Sequence, residues 1–191
     1  MALPYATRAE AATILVLGDS ISAAYGMSLQ QGWVAALGEE LGEDYAVVNA
    51  SISGETTAGG LRRLPALLEQ HKPHLVIIEL GGNDGLRGYP LKKFRSNLNE
   101  LVMKSKAAGA RAILVPMEIP PNYGTRYTAG FRQAYRDIAE QTGVTLSPFI
   151  LDGVATDPTL MQDDGIHPTT GAQALLLANM LPTVREVLAA P

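Results

Sequence analysis

The chain has 191 residues, of which 47% are hydrophobic and 18% are charged, and its formal net charge is -4. This composition excludes the low hydrophobicity and high charge of disordered chains, and it offers no strongly basic surface for nucleic acid. The absence of cysteine excludes a disulfide framework, a thiolate metal site and a cysteine nucleophile. We expect one domain over residues 1–191 and no integral membrane segment, because no apolar run approaches the ~18 residues that a span needs.

The N-terminus shows a trace of a targeting signal without its apolar stretch. Arg8 and Glu10 interrupt the first 12 residues, although Ala9-Glu10-Ala11 has the small-x-small form of a leader cleavage site. We expect residues 1–12 to be a flexible segment. Two interpretations stay open here, a leader that has been removed or an accidental likeness.

The first strong structural signal is the apolar run Ile14-Leu15-Val16-Leu17, which Gly18 stops. Such a run predicts a strand that is buried on both faces. Ser20 then lies just past the carboxyl end of that strand, where ligands bind in open α/β sheets. The motif alone does not distinguish a nucleophile at Ser20 from a residue that caps the next segment.

Helical and strand patterns alternate along the rest of the chain. This alternation predicts an α/β protein with three α/β/α layers and a central parallel sheet of about five strands, of flavodoxin-like size. The predicted elements are a helix over 33–41, a strand over 45–49, a loop with an N-cap over 50–57, a helix over about 59–70, a strand over 75–80, a helix from 90 to about 108, a strand over 112–115, an irregular Pro-rich loop over 116–124, a helix around 131–139, a weak strand over 144–146, and a last helix from 168–170 to about 188.

Small and polar residues follow three successive strands. Gly18-Asp19-Ser20 ends the first strand, Ser53-Gly54 follows the second, and Gly82-Asn83 ends the third. Because the carboxyl ends of parallel strands share one edge of the sheet, the three clusters are expected to face a single crevice.

A serine nucleophile needs a base, and the chain has three histidines. His71 and His74 flank the start of the third strand, at the edge opposite the crevice, which leaves His167. Asp164 precedes His167 by three positions, a spacing that lets a carboxylate orient the imidazole. The alternatives are that these residues only shape a turn or bind a metal; without cysteine or a second nearby histidine we expect no metal.

The crevice also offers donors for the oxyanion that forms when a serine attacks a carbonyl. Gly54 lets a backbone N–H approach, Asn83 carries a side-chain NH₂, and the N–H of Ser20 is a third candidate. Gly54 and Asn83 are equally compatible with ordinary turn roles when each is taken alone.

These residues, in this order, resemble the four sequence blocks of the SGNH (GDSL) hydrolases, and the likeness runs from about Thr13 to the last helix. Within that superfamily the stretches 48–54, 79–88 and 161–168 look like the bacterial periplasmic acyl-CoA thioesterase, lysophospholipase and arylesterase group. The resemblance implies a three-layer fold, a Ser20–His167–Asp164 triad, an oxyanion hole of Ser20, Gly54 and Asn83, and no cofactor.

The resemblance also implies a substrate groove beside a loop over 85–90 that moves when ligand binds. The paired prolines at positions 120 and 121 depart from the family pattern and are expected to alter groove width. The substrate-binding residues expected on this basis are Leu86, Arg87, Tyr89, Ile119, Pro120, Tyr123 and Ile166.

We therefore expect a serine esterase or thioesterase that hydrolyses aryl esters, acyl-CoA or lysophospholipid through an acyl-enzyme, with a small acyl substrate and no nucleic acid as partner. A monomer is expected. The resemblance implies a periplasmic or secreted protein, while the lack of an intact signal leaves a cytoplasmic location open. The alternatives are a carbohydrate O-acetyl esterase on the same triad, or a non-catalytic flavodoxin-like module, for which no phosphate-loop motif is present.

Overall fold

The computed structural model describes residues 11–190. Its regular elements alternate as the sequence predicts, which confirms the α/β class. The strands are β1 (Ala12–Gly18), β2 (Tyr45–Asn49), β3 (Leu75–Glu79), β4 (Arg111–Leu114) and β5 (Thr145–Leu146). The helices are α1 (Trp33–Leu41), α2 (Thr57–His71), α3 (Gly82–Leu86), α4 (Leu91–Ala107), α5 (Thr125–Thr142) and α6 (Gln173–Ala189).

The sheet has five parallel strands in the order β2-β1-β3-β4-β5. The chain moves to one side of β1 for the second strand and to the other side for the third. A doubly wound sheet of this order has its topological switch point between β1 and β3, where ligands bind outside the carboxyl ends. Gly18 pairs with Glu79 at that point, so the segments after β1 and β3 leave the sheet side by side.

Helices cover both faces of the sheet, which confirms the three layers. Helices α1 and α6 pack together on one face, and α2, α4 and α5 pack in series on the other. All five residues of β3 are buried, as are residues 14–18 of β1, because each face of these strands meets a helical layer. The switch point therefore lies next to two strands that are buried on both faces.

A cluster of aromatic side chains lies between α4, α5 and the end of β3. The Phe94 and Phe131 rings stack with centroids 4.6 Å apart, and the Tyr135 ring meets both edge-on. The hydroxyl of Tyr135 donates to the carbonyl of Leu80 at 2.9 Å, so the buried phenol is satisfied and ties α5 to the segment that follows β3.

The structure corrects several details of the predicted elements: α3 was not predicted, and α5 begins at Thr125 rather than around residue 131. The Pro-rich stretch over 116–124 was expected to be irregular, but Pro121–Tyr123 form a 3-10 turn, since proline fits the first position of such a turn. Helix α2 begins at Thr57 rather than near Gly59 because the Thr56 side chain accepts from the N–H of Gly59 and caps it. A 3-10 turn over Thr170–Ala172 precedes α6, so the last helix begins later than predicted.

The N-terminal expectation falls mostly outside the described residues, which begin at position 11. Ala12 was expected in the flexible segment, but it pairs with Tyr45 as the first residue of β1. Over residues 11–190, no helix is both long enough and apolar enough to span a bilayer.

Candidate active site

His167 is presented by a tight turn between two paired residues. Met161 and Pro168 form an antiparallel bridge, and the N–H of Gln162 donates to the carbonyl of His167 at 2.7 Å. Gly165 has a φ of 65°, the left-handed conformation that lets the turn close. The Gln162 side chain donates to the carbonyl of Tyr25, so the turn is fastened to the segment that carries Ser20.

The three residues predicted as a triad lie in one hydrogen-bonded chain. His167 Nε2 lies 2.8 Å from Ser20 Oγ, and His167 Nδ1 lies 2.6 Å from Asp164 Oδ2. The other oxygen of Asp164, Oδ1, accepts the backbone N–H groups of Ile166 and His167. This geometry allows the imidazole to receive a proton from the hydroxyl while the carboxylate fixes the ring's tautomer.

The surroundings keep Asp164 ionised. The hydrogen bond from the His167 side chain, with the backbone N–H of His167, lowers the pKa of Asp164 from 3.8 to about 2. Ser20 is only 8% exposed, so little of its hydroxyl is open to solvent. The pair therefore meets the requirements of an orienting carboxylate and a sheltered nucleophile.

Sequence reasoning missed Tyr25, whose ring lies against the imidazole. The Tyr25 and His167 ring centroids are 4.1 Å apart with 30° between their planes. The Tyr25 side chain is 47% exposed, so it covers His167 from the solvent side. No sequence pattern marks this contact, because it joins residues 142 positions apart through tertiary structure alone.

The candidate oxyanion donors follow neighbouring strands. Gly54 lies in a turn after β2 with a φ of 79°, and the Arg87 guanidinium donates to its carbonyl at 3.1 Å, which fixes that peptide. Asn83 lies in the first turn of α3, and its Nδ2 donates to Asp19 Oδ2 at 3.2 Å. Asp19 adjoins Ser20, so the hydrogen bond brings the Asn83 amide close to the segment that carries Ser20.

Two buried carboxyl groups lie behind Ser20. Asp19 is 2% exposed and Glu79 is fully buried, and Glu79 Oε2 accepts from Ser22 Oγ at 2.7 Å and from the N–H of Asp19 at 3.3 Å. Burial raises the pKa of Asp19 to about 6, against the lowering effect of the Ile21 N–H and the nearby His167. Burial, followed by the charge of Asp19, raises the pKa of Glu79 well above its usual range.

A third buried acid anchors α3 to α2. Asp84 Oδ1 accepts from Thr57 Oγ1 at 2.5 Å, its Oδ2 accepts from the Thr57 N–H at 2.9 Å, and Asn97 Nδ2 donates to the same hydroxyl. Burial raises the pKa of Asp84, against the two bonds from Thr57. These bonds hold the helix that carries Asn83.

The predicted groove residues occupy two different environments. Leu86 and Tyr89 are held through their carbonyls, which accept from the hydroxyls of Tyr123 at 2.8 Å and Tyr127 at 2.7 Å. Both tyrosines also line a cleft of about 420 Å³ with Leu91 and residues 124–126. The loop is thus fastened at two points to the segment that begins α5.

Three other predicted groove residues differ in exposure. Ile166 is 43% exposed beside His167 and Pro120 is exposed, whereas Ile119 is only 8% exposed. Ile119 packs against Gly85, where an added Cβ would collide with its methyl group. Its side chain therefore contributes to the base of α3 in this structure rather than to an open surface.

The remaining histidines lie far from this edge of the sheet. His71 ends α2, and His74 precedes β3, where its Nδ1 accepts from the N–H of Thr13. In the part of the chain that the structure describes, no three His, Asp or Glu side chains are grouped so that they could hold a metal ion.

A family model described as the GDSL-like Lipase/Acylhydrolase family matches residues 16–175. Esterase TesA of Pseudomonas aeruginosa is 52% identical over 184 residues, which cover 95% of this chain and 92% of that protein. An arylesterase of Vibrio mimicus is 49% identical over 163 residues, with 84% and 82% covered. Thioesterase 1/protease 1/lysophospholipase L1 of Escherichia coli K12 is 46% identical over 168 residues, with 88% and 81% covered.

Solved structures agree with these sequence matches. The crystal structure of TesA superposes with a TM-score of 0.89 at 52% identity, covering 92% of this chain and 99% of that one. The psychrotrophic esterase EstA from Pseudoalteromonas sp., in a form inhibited by monoethylphosphonate, has a TM-score of 0.89 at 47% identity, covering 93% and 99%.

Proposed function

From the premise that the chain belongs to the GDSL-like lipase/acylhydrolase family, we propose that Ser20, His167 and Asp164 form the catalytic triad of this enzyme. The chain is a GDSL serine hydrolase that cleaves ester and thioester bonds. The observation that carries the residue assignment is the continuous hydrogen-bond chain from Ser20 Oγ through the imidazole to Asp164.

In the acylation step, Ser20 Oγ attacks the carbonyl carbon of the substrate while His167 Nε2 takes the hydroxyl proton. The Asp164 carboxylate at Nδ1 stabilises the imidazolium that results. The oxyanion is held by the N–H groups of Ser20 and Gly54 and by the Asn83 side chain. The imidazolium then gives its proton to the departing alcohol or thiol, which leaves Ser20 acylated.

Deacylation repeats the same steps with water as the attacking group. His167 takes a proton from the water, the tetrahedral oxyanion occupies the same donors, and Ser20 recovers its proton when the acid departs. The chain's own side chains supply every proton transfer in both steps.

We propose aryl esters, acyl-CoA thioesters and lysophospholipids as the substrate class. The support is the set of names that the similar proteins carry, arylesterase and thioesterase/lysophospholipase. A panel of p-nitrophenyl esters of increasing acyl length, acyl-CoA thioesters, a lysophospholipid and acetylated sugars tests this class. Faster hydrolysis of acetylated sugars than of longer acyl groups would instead support the carbohydrate O-acetyl esterase.

The nucleophile is tested with Ser20→Ala and a matched control, Ser96→Ala, on the exposed face of α4. We expect Ser20→Ala to lower kcat by roughly 10⁴-fold or more, since among residues 11–190 only the Ser20 hydroxyl is hydrogen-bonded to His167 Nε2, and Ser96→Ala to match the wild type. A p-nitrophenyl phosphonate should add one phosphonyl group to the wild type and to Ser96→Ala, as measured by intact mass.

Labelling of Ser20→Ala with the same stoichiometry, or near wild-type turnover by that variant, would contradict the nucleophile assignment. Circular dichroism and thermal unfolding of both variants verify that the substitutions leave the fold intact.

We also propose a monomeric, periplasmic enzyme. The support for the location is the resemblance of its motifs to the periplasmic group of the superfamily. Light scattering of the purified protein and fractionation of cells that express the gene from its own start codon measure the two properties.

A further inference from the structure

The Asn83 side chain has two orientations that differ by exchange of its oxygen and nitrogen. Only the orientation that aims an N–H at the substrate stabilises an oxyanion, because the flipped amide presents its own lone pairs to the negative charge. An oxyanion hole built on an asparagine therefore needs a neighbour that distinguishes the two ends of the amide.

Asp19 is such a neighbour. Its Oδ1 accepts the N–H of Ile21 at 3.0 Å and its Oδ2 accepts Nδ2 of Asn83 at 3.2 Å. An ionised carboxylate accepts hydrogen bonds and donates none, so a flipped Asn83 would place an amide oxygen against a buried negative charge. One proton of the amide nitrogen is engaged by Asp19, and the second is left for the substrate.

We propose that Asp19 is a positioning residue that locks the Asn83 amide in the orientation that donates to the oxyanion. This inference rests on the proposed role of Asn83 as an oxyanion donor. Asp19 thereby acts on the reaction through Asn83, without touching the substrate itself.

Glu79 fixes the position of Asp19 through hydrogen bonds of its own. Its Oε2 accepts from the N–H of Asp19 and the hydroxyl of Ser22, while its Oε1 is buried and has no hydrogen-bond partner among residues 11–190. The close approach requires glycine at position 18, where a Cβ would lie 2.7 Å from Glu79 Oε2. Burial, followed by the charge of Asp19, raises the pKa of Glu79 well above its usual range.

The orientation of the Asn83 amide should depend on pH, because Asp19 can be protonated. The titratable groups that face Asp19 are Glu79, His167 and the buried Tyr135 hydroxyl. Below about pH 6 Asp19 becomes a neutral carboxylic acid that donates to an amide oxygen as readily as it accepts from the amide nitrogen, so the flipped amide is no longer disfavoured. Protonation of Asp19 should therefore lower the rate of the wild-type enzyme, to the extent that the flipped amide becomes populated.

The test is a double-mutant cycle on kcat with a p-nitrophenyl ester, using Asp19→Asn, Asn83→Ala and the pair. We expect Asn83→Ala to lower kcat on the order of 10²-fold. Asp19→Asn, which is neutral and nearly isosteric, should lower it by about 3- to 10-fold in the wild-type background, the difference between a charged and a neutral hydrogen bond. In the Asn83→Ala background it should have no further effect. The surface variant Asp137→Asn serves as control and should leave kcat unchanged.

The pH profile gives a second readout that a merely structural role would not change. Below about pH 6, where Asp19 is protonated in the wild type, the difference of about 3- to 10-fold in kcat/KM between the wild type and Asp19→Asn should disappear, because both proteins then carry a neutral group at position 19. Equal fold-losses from Asp19→Asn in both backgrounds would overturn the lock and indicate that Asp19 acts on the imidazolium. An Asp19→Asn enzyme with the wild-type rate would overturn it as well.

These results are distinguishable from a failure of the proposed function. If Asn83→Ala retains wild-type kcat, the oxyanion role itself is wrong and Asp19 has nothing to position. If Asn83→Ala is impaired and the cycle shows no coupling, only the lock is wrong.

Discussion

Tyr25 covers the solvent side of His167, the base of the proposed triad, and the two ring centroids lie 4.1 Å apart. An aromatic face so placed limits rotation of the ring and stabilises the imidazolium by about 0.5–1 kcal/mol. We therefore predict that Tyr25→Ala lowers kcat/KM by about 2- to 5-fold, as measured by initial rates on an aryl ester. Tyr25→Phe keeps the ring and is expected to retain the wild-type rate.

The phenylalanine variant decides between the ring and the hydroxyl. A loss in Tyr25→Phe equal to that in Tyr25→Ala would assign the effect to the hydroxyl and contradict the stacking role. Equal activity of all three proteins would show that Gln162, which binds the Tyr25 carbonyl, fixes the turn without help from the ring.

The residue scale also shows how far sequence reasoning reaches. Ser20, Asp164 and His167 are predictable because a nucleophile after a strand and a base with an adjacent acid follow from chemistry and spacing. Their hydrogen-bond chain lies where that reasoning places it. The contact between Asp19 and Asn83 is not predictable, because it depends on how the segments after β1 and β3 are placed relative to each other in the folded chain.

Among the elements, α3 depends most on one glycine. Gly81 has a φ of 125°, and an added Cβ would collide with the Tyr135 hydroxyl and lie 2.8 Å from the Phe94 ring. We predict that Gly81→Ala lowers the free energy of unfolding by about 2–4 kcal/mol, from backbone strain and overpacking together. Because α3 carries Asn83, we also expect kcat to fall. Chemical denaturation and initial rates measure the two effects.

Gly109, which follows α4, provides the matched control for Gly81. Its φ is 84°, and an added Cβ would meet nothing within 4 Å, so Gly109→Ala reports backbone strain alone. The loss of stability should be clearly larger for Gly81→Ala than for Gly109→Ala. Equal losses would mean that the aromatic cluster rearranges to accept the methyl group.

Elements were predictable where hydrophobic periodicity is strong. The buried strands β1 and β3 and the long helices α4 and α5 follow from apolar runs and from i, i+4 spacing. Helix α3 was not predicted, because a five-residue segment with two glycines has the composition of a turn. Its helical form comes from tertiary contacts, chiefly the bonds of Asp84 to Thr57.

At the scale of the whole molecule, parallel strand order decides where chemistry is possible. The sheet order places the segments after β1, β2 and β3 at one edge, and the histidines at the opposite edge take no part in the site. This convergence was predictable from the alternation of strands and helices. The loss of folding stability that comes from burying two carboxyl groups at this site was not predictable. The sequence does not show that Asp19 and Glu79 are both buried behind Ser20.

The buried acids make the stability of the folded chain depend on pH. The pKa of Asp19 is raised from 3.8 to about 6 on folding, so between these values the native state holds a proton that the unfolded chain has released. The contribution of Asp19 to stability is therefore fully present below about pH 4 and is lost as pH rises through about 6. Because the pKa of Asp19 differs by about 2 between the folded and unfolded states, the free energy of unfolding falls by at most ~3 kcal/mol over this pH range.

We predict that Asp19→Asn removes this loss. Between pH 4 and pH 7.5 the difference in unfolding free energy between variant and wild type should change by up to ~3 kcal/mol in favour of the variant, as measured by urea denaturation at each pH. Asp137→Asn is the control, because the pKa of Asp137 is lowered by the Gln133 side chain and Arg95 and it does not titrate in that range. Parallel stability curves for Asp19→Asn and the wild type would contradict the raised pKa. A gain in stability together with the expected loss of kcat would show that the charge behind Ser20 is kept for catalysis at the expense of the fold.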